Sequence, residues 1–275
     1  MAFIDDQLLR FKTELEAAIL AGGVKGKESI IRSSALINLI HDAVKYELIQ
    51  NGIDPSQIYP HLGETKPEMK IAGFLKQKDQ DVCVAPKNIA RVKRRIFWGP
   101  LANENVTDIY GKEYTRNTLI INVRSQMSSI AKNTDTLFER TFAEALNLHM
   151  MYWDAVLGEV YLIPVYEYDE ATMNERRITF KSHQTNVAKY ISFFTAINGR
   201  TDPDDELYKY ERCTLLIVDF KHKRPILYRT TAQLVEAGLL PKGFSLALEA
   251  LSFDTFSKDI LASYAQRFDL NNLKV

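Results

Sequence analysis

The chain has 275 residues, 46% of them apolar and 25% charged, and its 35 basic side chains balance 35 acidic ones. This is ordinary globular composition, long enough to bury a sizeable core, and the zero net charge means that only a local basic face could draw a polyanion. No apolar run approaches the ~18 residues of a membrane span and the N-terminus lacks a secretory apolar region, so a cytoplasmic location is expected.

Apolar residues at helical spacing (Ile4, Leu8, Phe11, Leu15, Ile19) predict a helix over 3–21 that stops at Gly22-Gly23. A second helix is predicted from about Ser29 to Asn51, with Gly52 beyond its end. The stretch from Pro55 to Glu68 is polar and broken by Pro60 and Pro67, so it reads as loop. Short strands are predicted at 70–75 and 81–85, then a basic segment at 87–95, then a clear strand at 118–123 built on Leu119-Ile120-Ile121. A helix is predicted from Asp135 to Met150, with Thr136 and Glu139 at capping-box spacing and Leu137, Phe138, Phe142, Ala145 and Leu146 as its buried stripe. A strand at 156–165 follows, and Gly158 and Pro164 point to a bulge, a bend or an edge position. Helices at 184–198, 231–237 and 253–268 flank a strand at 213–220. Helices and strands alternate without repeat or linker. The expectation is an α/β fold with a mixed central sheet, in one domain spanning 1–275, with residues 1–25 as a helical N-terminal extension.

Several segments have the chemistry of a site. Lys87, Arg91, Lys93, Arg94 and Arg95 fall in a stretch with no acid, followed by Phe97 and Trp98. Such a row suits a phosphate backbone, or it is a solvated charged face. Asp81 opens a strand after Lys76, Lys78 and Gln80, where a carboxylate can hold a hard cation or simply cap a turn. Arg124, Ser125, Gln126, Ser128, Ser129 and Lys132 leave a strand end beside a helix N-terminus, a place that favours anions and is also ordinary turn chemistry. Glu159 and Glu167, flanked by Asp154 and Asp169, offer a second candidate metal site or solvent-facing strand acids. The triplets Glu64-Thr65-Lys66 and Glu68-Met69-Lys70 have an acid and a lysine on one strand face, but both lie in or beside the proline-broken stretch. The five histidines show no zinc-ligand spacing, Cys83 and Cys213 sit in apolar runs as expected of buried free thiols, and no glycine-rich phosphate loop or nucleophile elbow is present.

The stretches Gly73-Phe74-Leu75-Lys76-Gln77-Lys78-Asp79-Gln80-Asp81-Val82-Cys83-Val84, Asn122 to His149 and Cys213 to Phe220 resemble type II restriction endonucleases, in particular the group that includes two-subunit enzymes cutting asymmetric sites. The resemblance spans roughly half the chain and implies a PD-(D/E)XK nuclease core: a helix, a strand hairpin carrying acids, a second helix and a further strand. On that mapping Asp81 matches the first aspartate, and Glu47 on the preceding helix could supply a further acid. Asn122-Val123-Arg124 stands where the family has an acid, any residue and lysine. Asn122 can coordinate but carries no charge, and Arg124 can stabilise a phosphate but is a poor proton acceptor. A second register, with Glu159 and Glu167 as the acids and Asp169 where lysine is expected, stays open. The resemblance implies sequence-specific hydrolysis of double-stranded DNA. Its catalytic residues would be drawn from Asp81, Asn122, Arg124 and Glu167, with Mg²⁺ held by Asp81 and by Glu47 or Glu159. Lys87, Arg91, Lys93, Arg94, Arg95, Gln126 and Lys132 would contact DNA, and the assembly would be a homodimer or a pair with a related subunit. The competing expectation is a non-catalytic DNA-binding module or partner subunit.

Overall fold

A computed structural model describes residues 2–275. Two helices come first, α1 (Phe3–Arg32) and α2 (Ala35–Gln50). Gly23 does break the helical backbone, with φ +61°, but the chain resumes the helix as far as Arg32. The second break falls at Ser34, with φ +63°, so α2 begins six residues later than the apolar spacing predicts. After β1 (Ile58–Tyr59) come β2 (Met69–Ala72), β3 (Gln77–Gln80), β4 (Val82–Val84), β5 (Arg94–Arg95) and β6 (Thr107–Asp108). Next are α3 (Lys112–Arg116), β7 (Leu119–Ser125), α4 (Ile130–His149) and β8 (Leu157–Pro164). The chain closes with α5 (Glu170–Met173), α6 (Val187–Ile197), β9 (Arg212–Asp219), β10 (Ile226–Tyr228), α7 (Thr231–Glu236) and α8 (Phe253–Ala265).

The class is α/β. Six strands form a mixed sheet in the order β1-β4-β7-β8-β9-β10. The first three run antiparallel, β7, β8 and β9 run parallel, and β10 closes the edge antiparallel. The parallel step from β7 to β8 needs a crossover, and α4 supplies it. Hairpins β2–β3 and β5–β6 stand outside this sheet.

Side chains alternate across the strands, so the two faces have separate cores. One face presents Val82, Val84, Leu119, Ile121, Val160, Leu162, Leu216 and Val218 to α1, α2 and α8. Ile4, Leu8, Phe11, Leu15 and Ile19 of α1 join that core, so this helix is packed onto the sheet along its first half. The other face presents Cys83, Ile120, Leu157, Tyr161, Ile163, Cys213, Leu215 and Ile217 to α4 and α6. Both cysteines are buried free thiols.

Two expectations need correction here. β8 is a central strand, regularly paired on both sides, with no bulge at Gly158. Gly158 serves packing instead: a Cβ there would stand 2.6 Å from Ile260 Cδ1 and 2.9 Å from Phe256 Cζ, so its absence lets α8 close on the sheet. Helix α4 begins at Ile130, five residues before the expected start, and Thr136 and Glu139 form no capping box. Its first amides are capped from a distance, as the Glu167 carboxylate accepts from Ser129 N–H at 2.8 Å and Ile130 N–H at 3.2 Å. The buried side of α4 carries Thr134, Thr141, Glu144 and Asn147 together with Ile130, Ala145 and Leu148, while Phe142 is 37% exposed. Phe138 and Phe142 stack outward-lying rings, on Phe193 and Tyr208 respectively. A polar inner face on this helix has a cause in what the sheet presents to it.

Candidate functional site

Residues 77–84 are two strand segments with a bend at Asp81. β3 pairs with β2, whereas β4 pairs with β7 through Val82–Ile121, Cys83–Ile120 and Val84–Leu119. Where the chain leaves the main sheet, Asp81 Oδ2 accepts the Val123 N–H at 2.8 Å. The carboxylate thus replaces the missing strand and is fixed at the open end of the β4–β7 pair. Its other oxygen takes no hydrogen bond among the described residues.

Beside it a polar row crosses an apolar face. Asn122, Glu159 and Cys213 stand in register on β7, β8 and β9. Arg124, two residues along β7, shares their face. Glu159 is wholly buried, and Arg124 Nε lies 3.0 Å from its Oε1. Neither Glu159 oxygen has a well-directed hydrogen bond, so that contact is ionic rather than an aligned pair. Burial, with Asp81 and Glu144 adding to it, pushes the Glu159 carboxyl up to about 7 against the pull of Arg124 and Lys78.

Glu144 reaches the row from α4. Lys78 Nζ lies 3.1 Å from Glu144 and 3.5 Å from Asn122 Oδ1, Lys76 Nζ lies 3.5 Å from Glu144, and an Arg124 terminal nitrogen lies 3.7 Å from it. Burial opposes ionisation of Glu144, but Lys78, Arg124 and Lys76 outweigh it and hold the carboxyl below its ordinary value. The guanidinium of Arg124 is held protonated by Glu159 and Glu144 despite burial. Three acids and three cations therefore converge where β3, β7, β8 and α4 meet. A cavity of about 370 Å³ opens onto the Glu144 side of this cluster, lined by Lys76, Lys78, Arg124, Arg140, Glu144 and Asn147 but not by Asp81 or Glu159. Asn147 also holds the β2–β3 turn, its Oδ1 accepting from Leu75 N–H at 2.7 Å.

The other expected site residues lie apart from this cluster. Glu47 is half-buried on α2, with its carboxyl raised by burial and by Asp254. The α2 residue that senses Asp81 is His41, whose imidazole is held neutral by burial and whose Nε2 is buried without a partner. Glu167 caps α4 and pairs with Lys181 at 3.0 Å, so its carboxylate is committed to structure. The second register therefore splits, because Glu159 is in the row and Glu167 is not. Gln126 is buried, donating to Ile130 C=O at 3.0 Å and accepting from Tyr161 and Tyr190, which removes it from any surface contact. Lys87 pairs with Asp54 at 2.8 Å, Arg91 lies over the rings of Tyr110 and Tyr114, and Arg94 pairs with Asp108 at 3.3 Å and lies over Trp98. Lys93, Arg95 and Lys132 are exposed and form no ion pair among the described residues.

Lys76, Lys78 and Glu144 are the members that motif spacing missed. One signal was legible: Glu144 adjoins Ala145 and precedes Leu148 by four residues, which puts an acid on a helix side that otherwise reads as core.

No three His, Cys, Asp or Glu side chains are grouped to hold a metal among the described residues. The donors suit Mg²⁺ better than zinc, because Mg²⁺ is commonly held by one or two carboxylates and otherwise by water and substrate oxygens. The hydrogen-bond-free oxygens of Glu159 and the open oxygen of Asp81 are of that kind.

Protein-family models, curated proteins and solved structures yield no match to this chain.

Proposed function

We propose that this chain is a Mg²⁺-dependent nuclease that hydrolyses phosphodiester bonds of double-stranded DNA, with a restriction-endonuclease-like core. The observation that carries the reading is the position of Lys78, 3.5 Å from Asn122. Where the family has acid-x-lysine on one strand, this chain has Asn122 and Arg124. A lysine from β3 and acids from β8 and α4 stand at that same place, so the chemistry missing from the triplet is supplied by neighbouring elements. Helix α2, the antiparallel strands β1, β4 and β7, helix α4 and the parallel strand β8 also follow in the order of such a core.

Asp81 and Glu159 would hold the ion, and Asn122, in register with Glu159 on the neighbouring strand, would add an amide oxygen. When bound, Mg²⁺ supplies Lewis-acid stabilisation of the charge that develops on phosphorus oxygens. The ammonium groups of Lys76 and Lys78 and the guanidinium of Arg140 face the cavity and would hold the phosphate's non-bridging oxygens. Arg124, anchored by two carboxylates, holds the site rigid and adds positive charge beside the phosphate. As a ligand Glu159 would bind the ion as its carboxylate, so metal binding would oppose the burial that raises its carboxyl toward neutrality. Cutting both strands calls for two such sites, hence a dimer or a related partner subunit.

A supercoiled plasmid with Mg²⁺, Mn²⁺ or chelator tests this. Wild type is expected to nick or linearise it only with metal. Asp81→Asn and Lys78→Met should each lose roughly a thousandfold in rate while keeping their circular dichroism. A second reading has one observation in its favour: two of the three acids, Glu144 and Glu159, are already paired with Lys76, Lys78 and Arg124, as in a non-catalytic DNA-binding subunit. Salt-sensitive DNA binding without cleavage under any metal would select it.

A further inference from the structure

The hairpin β5–β6 sorts the basic segment into two classes. Its pairing extends past the two named strands: Val92 N–H donates to Tyr110 C=O at 2.8 Å, and Ile96 N–H donates to Val106 C=O at 3.1 Å, around the register Arg94–Asp108 and Arg95–Thr107. Residues 92–96 are thus an extended ribbon edge on which alternate side chains point opposite ways, and the alternation of burial continues through Phe97 to Trp98 at the bend that follows. Arg94, Ile96 and Trp98 turn inward. Ile96 is fully buried against Ala72 and Leu101, Arg94 pairs with Asp108, and Trp98 Nε1 donates to Gly73 C=O at 3.2 Å. Lys93, Arg95 and Phe97 turn outward, and all three are exposed.

Phe97 is 77% exposed, an unusual position for a phenyl ring in a segment so well fixed by its neighbours. Ile109, on the partner strand, is also exposed. Arg94, Ile96 and Trp98 all have partners, whereas Lys93, Arg95 and Phe97 make no ion pair, hydrogen bond or ring contact through their side chains among the described residues. Two cations, about 6.6 Å apart along the ribbon and unpaired among the described residues, are therefore followed by a bare aromatic ring just past its last pair. The ribbon is joined to the candidate site. Gly99, at φ +52°, sits so close to the β2–β3 turn that a Cβ would lie 2.5 Å from Phe74 C=O, and the next residues of that turn, Leu75 and Lys76, line the cavity.

We propose that the β5–β6 hairpin is a DNA-engaging wing, in which Lys93 and Arg95 hold phosphates and Phe97 inserts at a base step as an apolar wedge. The charge selects a polyanion and the exposed ring selects one that offers stacked π-faces; nucleic acid offers both. The proposal rests on the DNA-facing reading above but not on cleavage.

The test uses a mixed-sequence duplex of about 30 base pairs, with 2-aminopurine at staggered positions, and the full chain without metal. Phe97→Ala is expected to weaken binding about tenfold and to abolish the rise in 2-aminopurine fluorescence. Lys93→Ser with Arg95→Ser should lower the slope of log affinity against log salt by about two, leaving the fluorescence rise per bound complex intact. The three side chains carry no packing, so melting temperatures should match wild type. Wild-type affinity, salt slope and fluorescence in these variants would overturn the wing, even if the plasmid is cut normally. A wild-type chain that binds with the fluorescence rise but never cuts would remove the nuclease reading and leave the wing standing. A wild-type chain that does not bind duplex DNA overturns both.

Discussion

The two faces of the central sheet are made by the same strands yet are built differently. The face under α1, α2 and α8 is apolar from β4 to β9, and Gly158 lets α8 close on it. The opposite face is apolar only in part, since Asn122, Glu159 and Arg124 interrupt it and α4 answers with Glu144. The first face can be understood from hydrophobic burial alone. On the second, burial works against the charges, and ion pairing must offset it. This buried cluster of perturbed carboxyls is what the proposed catalytic role rests on.

The difference can be broken by substitution on either side. The largest effect is expected at Phe11, fully buried on the apolar face: Phe11→Ala should cost about 3–5 kcal/mol in urea unfolding. The variant should still bind DNA below its melting point, because nothing on the polar face is touched. Lost DNA binding in a folded Phe11→Ala protein would show that the faces are not independent.

The polar face should reveal itself through pH. The Glu159 carboxyl lies near 7 in the folded chain against an ordinary value of 4.5. Between those values the folded state binds more protons than the unfolded state. Its contribution to stability is therefore complete below about pH 4.5 and is lost as pH rises through 7, a fall of order 3 kcal/mol. Glu159→Gln cannot titrate and should lack that fall. Urea midpoints across pH 4.5–8 measure both proteins, and parallel profiles would assign the dependence to another group.

The smallest effect separates capping from chemistry. Glu167→Ala leaves the Ser129 and Ile130 amides without their acceptor and should cost about 1 kcal/mol. Plasmid cleavage by this variant, measured below its melting temperature, should stay within about twofold of wild type if the loss is only that of a cap. A thousandfold loss would return Glu167 to the site.

Local pattern carried much of the fold. Leu119-Ile120-Ile121 and the run from Cys213 read as buried strands because adjacent apolar residues need cover on both sides, and both are central strands. Asp81 stood out in the sequence because an acid bordering an apolar run must be held by something. The boundaries that depended on distant groups did not read correctly. The start of α4 was hidden because its capping carboxylate lies 38 residues downstream of Ser129. Its inner face was misjudged because Phe138 and Phe142 satisfy a helical apolar pattern while packing on neighbouring rings at the rim.

The sequence by itself determined an α/β chain, its principal strands and an acid at a strand mouth, since each follows from spacing within a few residues. Only the tertiary structure decided which charges meet. Strand register put Asn122 beside Glu159, the crossover brought Glu144 over them, and the bend at Asp81 placed Lys78 at hand. Those groups are up to 81 residues apart in the chain, from Lys78 to Glu159, and no local periodicity encodes a contact set by how strands are ordered in a sheet.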